Sequence, residues 1–242
     1  MKTLQIIFIT IAALAGCTKP AAVVMSQTNV MTTDTTNKGN PGTYTYLALG
    51  DSYTIGQSVS QAESFPYKLA TALTGVRDTV NAPTIIATTG WTTQNLIDAI
   101  ASSNIHEKTY DFVTLLIGVN DQYQGLSQTT YANNFAILLN QAIGFAKGDT
   151  SRVFVLSIPD YGVTPYAAGE DATIGPQIDA FNAINLQIST QAHVHYLNIT
   201  GISREAATNP SLIADDGLHP SAKMYALWIA QLAPMVEARL KK

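Results

Sequence analysis

The run FVTLLI at 112–117 constrains the fold more than any other stretch. A strand that is apolar at nearly every position has no face to give to water. Both of its faces must be covered, which is the situation of a central strand in a parallel sheet. Shorter β-rich runs at 46–49, 84–87, 153–157 and 194–198 predict four further strands, with helical patterns between them. In QTTYANNFAILLNQAIGFA, for example, Tyr131, Phe135, Leu138, Leu139 and Ala142 recur at helical spacing. Further helices are predicted over 65–73, 96–101, 174–190 and 222–240, the last with a kink expected at Pro234. Strands alternating with crossovers of this length imply a three-layer α/β/α sandwich around a mostly parallel five-stranded sheet. The 242 residues, 46% hydrophobic, suffice for one sizeable core, and no repeat or second boundary interrupts 44–242.

The first 43 residues read differently. Met1-Lys2 is followed by LQIIFITIAALAG, an apolar run too short to span a bilayer comfortably but right for the core of a signal peptide. It ends at Leu14-Ala15-Gly16-Cys17, and Cys17 is the only cysteine in the chain. The arrangement resembles a bacterial lipoprotein signal, with 1–16 removed and Cys17 lipidated; the alternative is a plain secretory signal with a cysteine near its cleavage site. An internal disulfide is excluded by the cysteine count, so the domain must be stable through packing alone. Residues 17–43, which include MTTDTTNKGNPG, lack apolar periodicity and read as a tether to the membrane. Thr18 stands where an inner-membrane retention signal carries Asp. By that resemblance, the expected location is the outer membrane of a Gram-negative envelope, with the membrane face left open. With 13 Lys and Arg against 17 Asp and Glu, and no basic run, no nucleic-acid partner is expected.

An open α/β sheet binds ligands outside the carboxyl ends of its strands, so the residues that follow each strand carry the information. After the first comes Gly50-Asp51-Ser52, after the second Thr88-Thr89-Gly90-Trp91, and after the third Gly118-Val119-Asn120-Asp121. Beyond the fifth comes Asp215-Asp216-Gly217-Leu218-His219-Pro220. Each block alone is ordinary turn chemistry.

Together and in this order, the blocks resemble those of the SGNH hydrolases, the GDSL esterases and lipases, over the chain from about Tyr46 to the final helix. The signature residues match Ser52, Gly90, Asn120 and His219, and the DxxH pairing matches Asp216 with His219. The resemblance implies a flavodoxin-like fold and ester hydrolysis through an acyl-enzyme on Ser52. In that scheme His219 is the general base and Asp216 its orienting carboxylate, with Asp215 a competing candidate. The oxyanion donors implied are the backbone N–H groups of Ser52 and Gly90 and the side-chain amide of Asn120. The chemistry agrees: serine needs an adjacent base, and histidine suits that role near neutral pH. No cofactor or metal is implied. The chain has no G-x-S-x-G, unlike the ordinary α/β-hydrolase elbow. Tyr53 stands where the family name implies Leu, a position that supports the turn.

Other residues have plainer readings. Asp51 and Asp121 are expected to hold their loops through local Asx-type bonds. His193 and His195 are expected on one strand face, too few for a metal site without a third ligand, and His106 has no partner in sequence. Trp91, Tyr123, Ile158 and Leu218 are candidates for an acyl pocket, with 158–162 as a wall. Short loops favour an open cleft and short-chain or O-acetyl esters. Lysophospholipase, thioesterase and acyltransferase activities share the same residues, and a non-catalytic binding lipoprotein is the rival from another class.

Overall fold

The computed structural model describes residues 42–75, 78–167 and 169–241. The signal segment 1–16, Cys17 and the tether up to residue 41 lie outside the described residues.

Five strands form one sheet: β1 (Tyr46–Gly50), β2 (Thr84–Ala87), β3 (Phe112–Leu116), β4 (Val153–Leu156) and β5 (His195–Leu197). They lie in the order β2-β1-β3-β4-β5, and every pairing is parallel. β1 and β3 are buried at every position, as the apolar run at 112–117 requires. Tyr46 pairs in register with Phe112 and stacks on its ring at 4.3 Å. The Tyr46 hydroxyl is satisfied inside the core by Thr114 Oγ1 at 2.7 Å, so the one polar side chain of β3 serves the one polar group of β1. A separate two-residue ribbon pairs Thr43–Tyr44 with Thr79–Val80.

Eight α-helices complete the described chain: α1 (Ser52–Ile55), α2 (Phe65–Leu73), α3 (Thr93–Ser102), α4 (Val119–Tyr123), α5 (Gln128–Phe145), α6 (Asp171–Gln191), α7 (Thr200–Arg204) and α8 (Ala222–Leu240). Helices α2 and α8 pack together, and α5 packs against both α3 and α6. Right-handed crossovers put these two groups on opposite faces of the sheet, giving the three layers. Trp228 of α8 is fully buried against Phe65 of α2, with ring centroids 6.2 Å apart. The helical assignment of α8 continues through Pro234.

The order 2-1-3-4-5 is that of a flavodoxin-like sheet, whose chain leaves β1 toward one edge and later returns to its other side. The crevice opens at that switch, outside the carboxyl ends of β1 and β3. The loops that follow β1, β2 and β3 therefore converge at one place.

Candidate active site

Ser52 is the first residue of α1, placed directly after β1 ends at Gly50. The turn is tight because Gly50 has no room for a side chain: a Cβ there would fall 2.3 Å from Leu116 O and 2.1 Å from Thr54 Oγ1. Asp51 caps the short helix, its Oδ1 accepting from Tyr53 N at 3.0 Å. From the far end of the chain, Tyr225 of α8 donates its hydroxyl to Tyr53 O at 3.0 Å. Both bonds hold Tyr53, the chain neighbour of Ser52, and the serine itself is only 5% exposed.

The loop before α8 carries the acid and the histidine. Ala214 N donates to His219 O at 2.8 Å, and Gly217, at φ +72°, turns the chain between them. Asp216 Oδ1 accepts from Leu218 N and His219 N, each at 3.0 Å, and Oδ2 meets His219 Nδ1 at 2.6 Å. Burial pushes the Asp216 carboxyl up, but hydrogen bonds from Ser58 Oγ, the His219 backbone and ring, and Leu218 N outweigh it and hold the group well below the usual carboxylate range. An ionised Asp216 makes Nδ1 the protonated nitrogen and leaves Nε2 free to accept. Asp216, rather than Asp215, is therefore the partner of His219. The imidazole also packs edge-on against Tyr53, with centroids 5.7 Å apart.

The third wall comes from the ends of β2 and β3. Gly118 precedes α4 at φ +130°, and its missing Cβ would fall 2.6 Å from Tyr131 and 2.8 Å from Ile158. Asn120 follows, and its Nδ2 donates to Trp91 O at 2.9 Å, which fixes the amide and leaves its second N–H uncommitted to that bond. Gly90 sits at φ +82°, and a Cβ there would meet nothing within 4 Å. The positive φ is a backbone requirement that glycine meets without strain, and the open space beside it belongs to the cavity described next.

Ser52, Gly90, Asn120 and His219 line one cavity of about 120 Å³, with Tyr53, Thr89, Val119, Tyr123, Tyr161, Tyr166 and Leu218. Among the described residues no hydrogen bond yet joins Ser52 to His219, a contact that commonly tightens only when substrate binds. Of the residues expected to line an acyl pocket, Tyr123 and Leu218 border this cavity, whereas Trp91 and Ile158 do not. Ile158 instead fills the space against Gly118. The 158–162 segment contributes Tyr161. Tyr123 and Tyr166, 57% and 55% exposed, form a lip with their hydroxyls 2.9 Å apart. Sequence reasoning missed Tyr53, Tyr166, Thr89 and Val119 as lining residues.

Two other expectations change. Asp51 makes the local bond expected of it, but Asp121 reaches across to α3, where it accepts from Thr93 N at 2.8 Å and Thr93 Oγ1 at 2.5 Å. This bond ties α4, and with it Asn120, to the start of the helix that follows Gly90. Burial pushes the carboxyl of Asp121 up, and that of Asp51 to about 8. His193 and His195 do not share a strand face: His193 lies at φ +56° in the turn after α6, and only His195 is in β5, stacked on Phe154. Among the described residues no three His, Cys, Asp or Glu side chains are grouped as a metal centre would need.

A cavity at the switch point of a flavodoxin-like sheet is thus bordered by a buried serine and a carboxylate-paired histidine. The sequence matches the GDSL-like Lipase/Acylhydrolase family over residues 48–227, and the chain belongs to that family, whose members hydrolyse ester bonds. Solved structures agree on the fold. The psychrotrophic esterase EstA from Pseudoalteromonas sp. is similar at 17% identity and TM-score 0.62, over 82% of this chain and 100% of that one. TesA is similar at 15% identity and TM-score 0.64, over 81% and 99%. Axe2, an acetylxylan esterase from Geobacillus stearothermophilus, is similar at 17% identity and TM-score 0.62, over 82% and 96%. No curated protein matches the sequence.

Proposed function

We propose that the protein is a serine esterase of short-chain or O-acetyl esters, acting through an acyl-enzyme on Ser52. The observation that carries this is the Asp216–His219 pair on the wall of the cavity that Ser52 also borders. His219 Nε2 takes the proton as Ser52 Oγ bonds to the ester carbonyl carbon, and Asp216 stabilises the imidazolium that forms. The N–H groups of Ser52 and Gly90 and the free N–H of Asn120 Nδ2 receive the negative charge on the carbonyl oxygen. Collapse breaks the carbon–oxygen bond to the alcohol, which leaves with the proton from His219. Water then attacks the acyl-enzyme with His219 again as base, releasing the carboxylic acid and free Ser52.

Size supports a short acyl group. The cavity beside Ser52 and His219 is small, about 120 Å³, and opens to solvent at the exposed Tyr123 and Tyr166. The alcohol side of the ester then faces the Tyr123–Tyr166 lip, whose rings offer apolar faces and polar tips to a polyhydroxylated group. The fold shared with an acetylxylan esterase agrees with this reading. By the N-terminal sequence, the enzyme is a lipid-anchored protein of the cell envelope, held at the outer membrane through Cys17 with 17–43 as tether.

The test is turnover of p-nitrophenyl esters from acetate to palmitate, with Ser52→Ala alongside. Activity should peak at acetate or butyrate and fall by roughly 10³-fold or more in the variant. A peak at long chains would move the substrate to lysophospholipids. Turnover that survives Ser52→Ala would remove the assignment.

A further inference from the structure

Ser58 is an exposed serine in the loop after α1, and three features make it unusual. Its backbone lies at φ +68°, in the left-handed region that non-glycine residues avoid. Its hydroxyl reaches 158 residues along the chain to donate to Asp216 Oδ2 at 2.6 Å, the same oxygen that meets His219 Nδ1. Its loop is also tied to the other two walls of the cavity. Gln57 N donates to Ser52 O at 3.0 Å, and Gln57 Oε1 accepts from Thr89 Oγ1 at 2.8 Å, beside Gly90. The loop is seated by Gly56, at φ +77°, where a Cβ would fall 2.4 Å from that of Ser64.

An exposed hydroxyl can be satisfied by water at no cost, so hydrogen bonding alone gives no reason to hold a serine in a strained conformation. We infer that Ser58 is a positioning residue for Asp216: its strained backbone aims Oγ at Oδ2, so that the carboxylate is held toward His219 and shares its charge between two donors. This role deepens the Ser52–His219–Asp216 reading and depends on it for its kinetic consequence.

The sign of the effect follows from the geometry. Oδ1 is occupied by Leu218 N and His219 N, so Ser58 and His219 divide the charge on Oδ2. Removing the Ser58 hydroxyl leaves more negative charge facing Nδ1–H, which favours the imidazolium and moves the His219 titration to higher pH. Other titratable groups surround this pair. Tyr53 of α1 and Tyr225 of α8 are buried phenols pushed above their ordinary value. Asp51 is buried beside Ser52 with its carboxyl at about 8. Asp160, after β4, is bound to Arg204 at 2.9 Å, and Asp215 is the chain neighbour of Asp216.

The test compares Ser58→Ala and Ser58→Gly in the full chain. Both lose the hydroxyl, but only glycine relieves the backbone. The His219 ring proton is followed by NMR across pH, assigned among the four histidines by its loss in His219→Gln. The titration midpoint should rise by about half a unit in both variants, equivalent to a threefold change in protonation. Where the wild type turns over esters, the acidic limb of kcat/KM should move with it, with KM unchanged. Thermal stability should separate the two variants instead, glycine matching or exceeding the wild type and alanine not. Unchanged midpoints in both variants would overturn the role of Ser58, whatever the esterase assay returns. Shifted midpoints in a wild type that hydrolyses no ester would uphold the Ser58–Asp216–His219 coupling and refute the esterase.

Discussion

Gly118 and Gly90 both have positive φ and both border the site, yet replacing them with alanine should have different consequences. At Gly118 two costs combine. The backbone at φ +130° excludes an L side chain, and the new Cβ would lie 2.6 Å from the Tyr131 ring and 2.8 Å from Ile158 Cδ1, both in the packed core. Backbone strain of about 1–3 kcal/mol and overpacking of about 1–3 kcal/mol together put Gly118→Ala at about 2–6 kcal/mol. That is a large share of the roughly 5–15 kcal/mol that holds a domain folded. At Gly90 only the backbone objects, since a Cβ meets nothing within 4 Å. The cost of Gly90→Ala should be about 1–2 kcal/mol. With a urea m-value of about 3 kcal/mol/M, the midpoint should fall by about 0.7–2 M for Gly118→Ala and about 0.3–0.7 M for Gly90→Ala. Catalysis should rank them the other way per unit of stability lost, because Gly90 lines the cavity and, in the proposed mechanism, displacing its N–H removes an oxyanion donor. Equal midpoints for the two variants, or a Gly118→Ala protein as stable as the wild type, would refute the packing argument.

Asn120→Ala should lower kcat by about 10²–10³ with little change in KM, because in the proposed mechanism its second N–H acts on charge that develops only in the transition state; a KM effect with unchanged kcat would make it a binding residue. Asp51 gives a pH signature. Its carboxyl sits near 8 in the folded chain and near 3.9 in an unfolded one. The folded state therefore holds the extra proton, and stability drains away as pH rises through that window. Asp51→Asn should gain on the wild type in melting temperature between about pH 4 and 8, and parallel curves would count against a buried proton at Asp51. Cys17→Ala should move the protein from the membrane to the soluble envelope fraction, whereas unchanged fractionation would exclude the lipid anchor.

The sheet was legible because its signal is local. A strand buried on both faces must be apolar, and 112–117 declared itself as such one residue longer than Phe112–Leu116. The ends were less legible where a side chain leaves the ladder. Ser157, expected in β4, turns its hydroxyl to accept from Ile199 N at 2.8 Å and Thr200 N at 3.1 Å. The strand at 194–198 shortened to His195–Leu197: Val194 N turns back to donate to Ser189 O at 3.1 Å, and at the other end Asn198 Oδ1 accepts from Thr200 N at 3.0 Å. The site blocks were visible as ordered turn motifs, but their supports were not. Nothing near Asp121 announces Thr93, and nothing near Ser58 announces Asp216. The tyrosine lip joins residues 43 positions apart, brought together only by the loops after β3 and β4.

The central claim is that Ser52 is the nucleophile and that His219, oriented by Asp216, activates it. Its most direct test is covalent trapping. The full chain is treated with a fluorophosphonate, the intact mass is recorded, and the modified peptide is sequenced. A single phosphonyl adduct should form on Ser52, be absent in Ser52→Ala and form far more slowly in His219→Gln. An unmodified chain, or a label that persists elsewhere in Ser52→Ala, would contradict it.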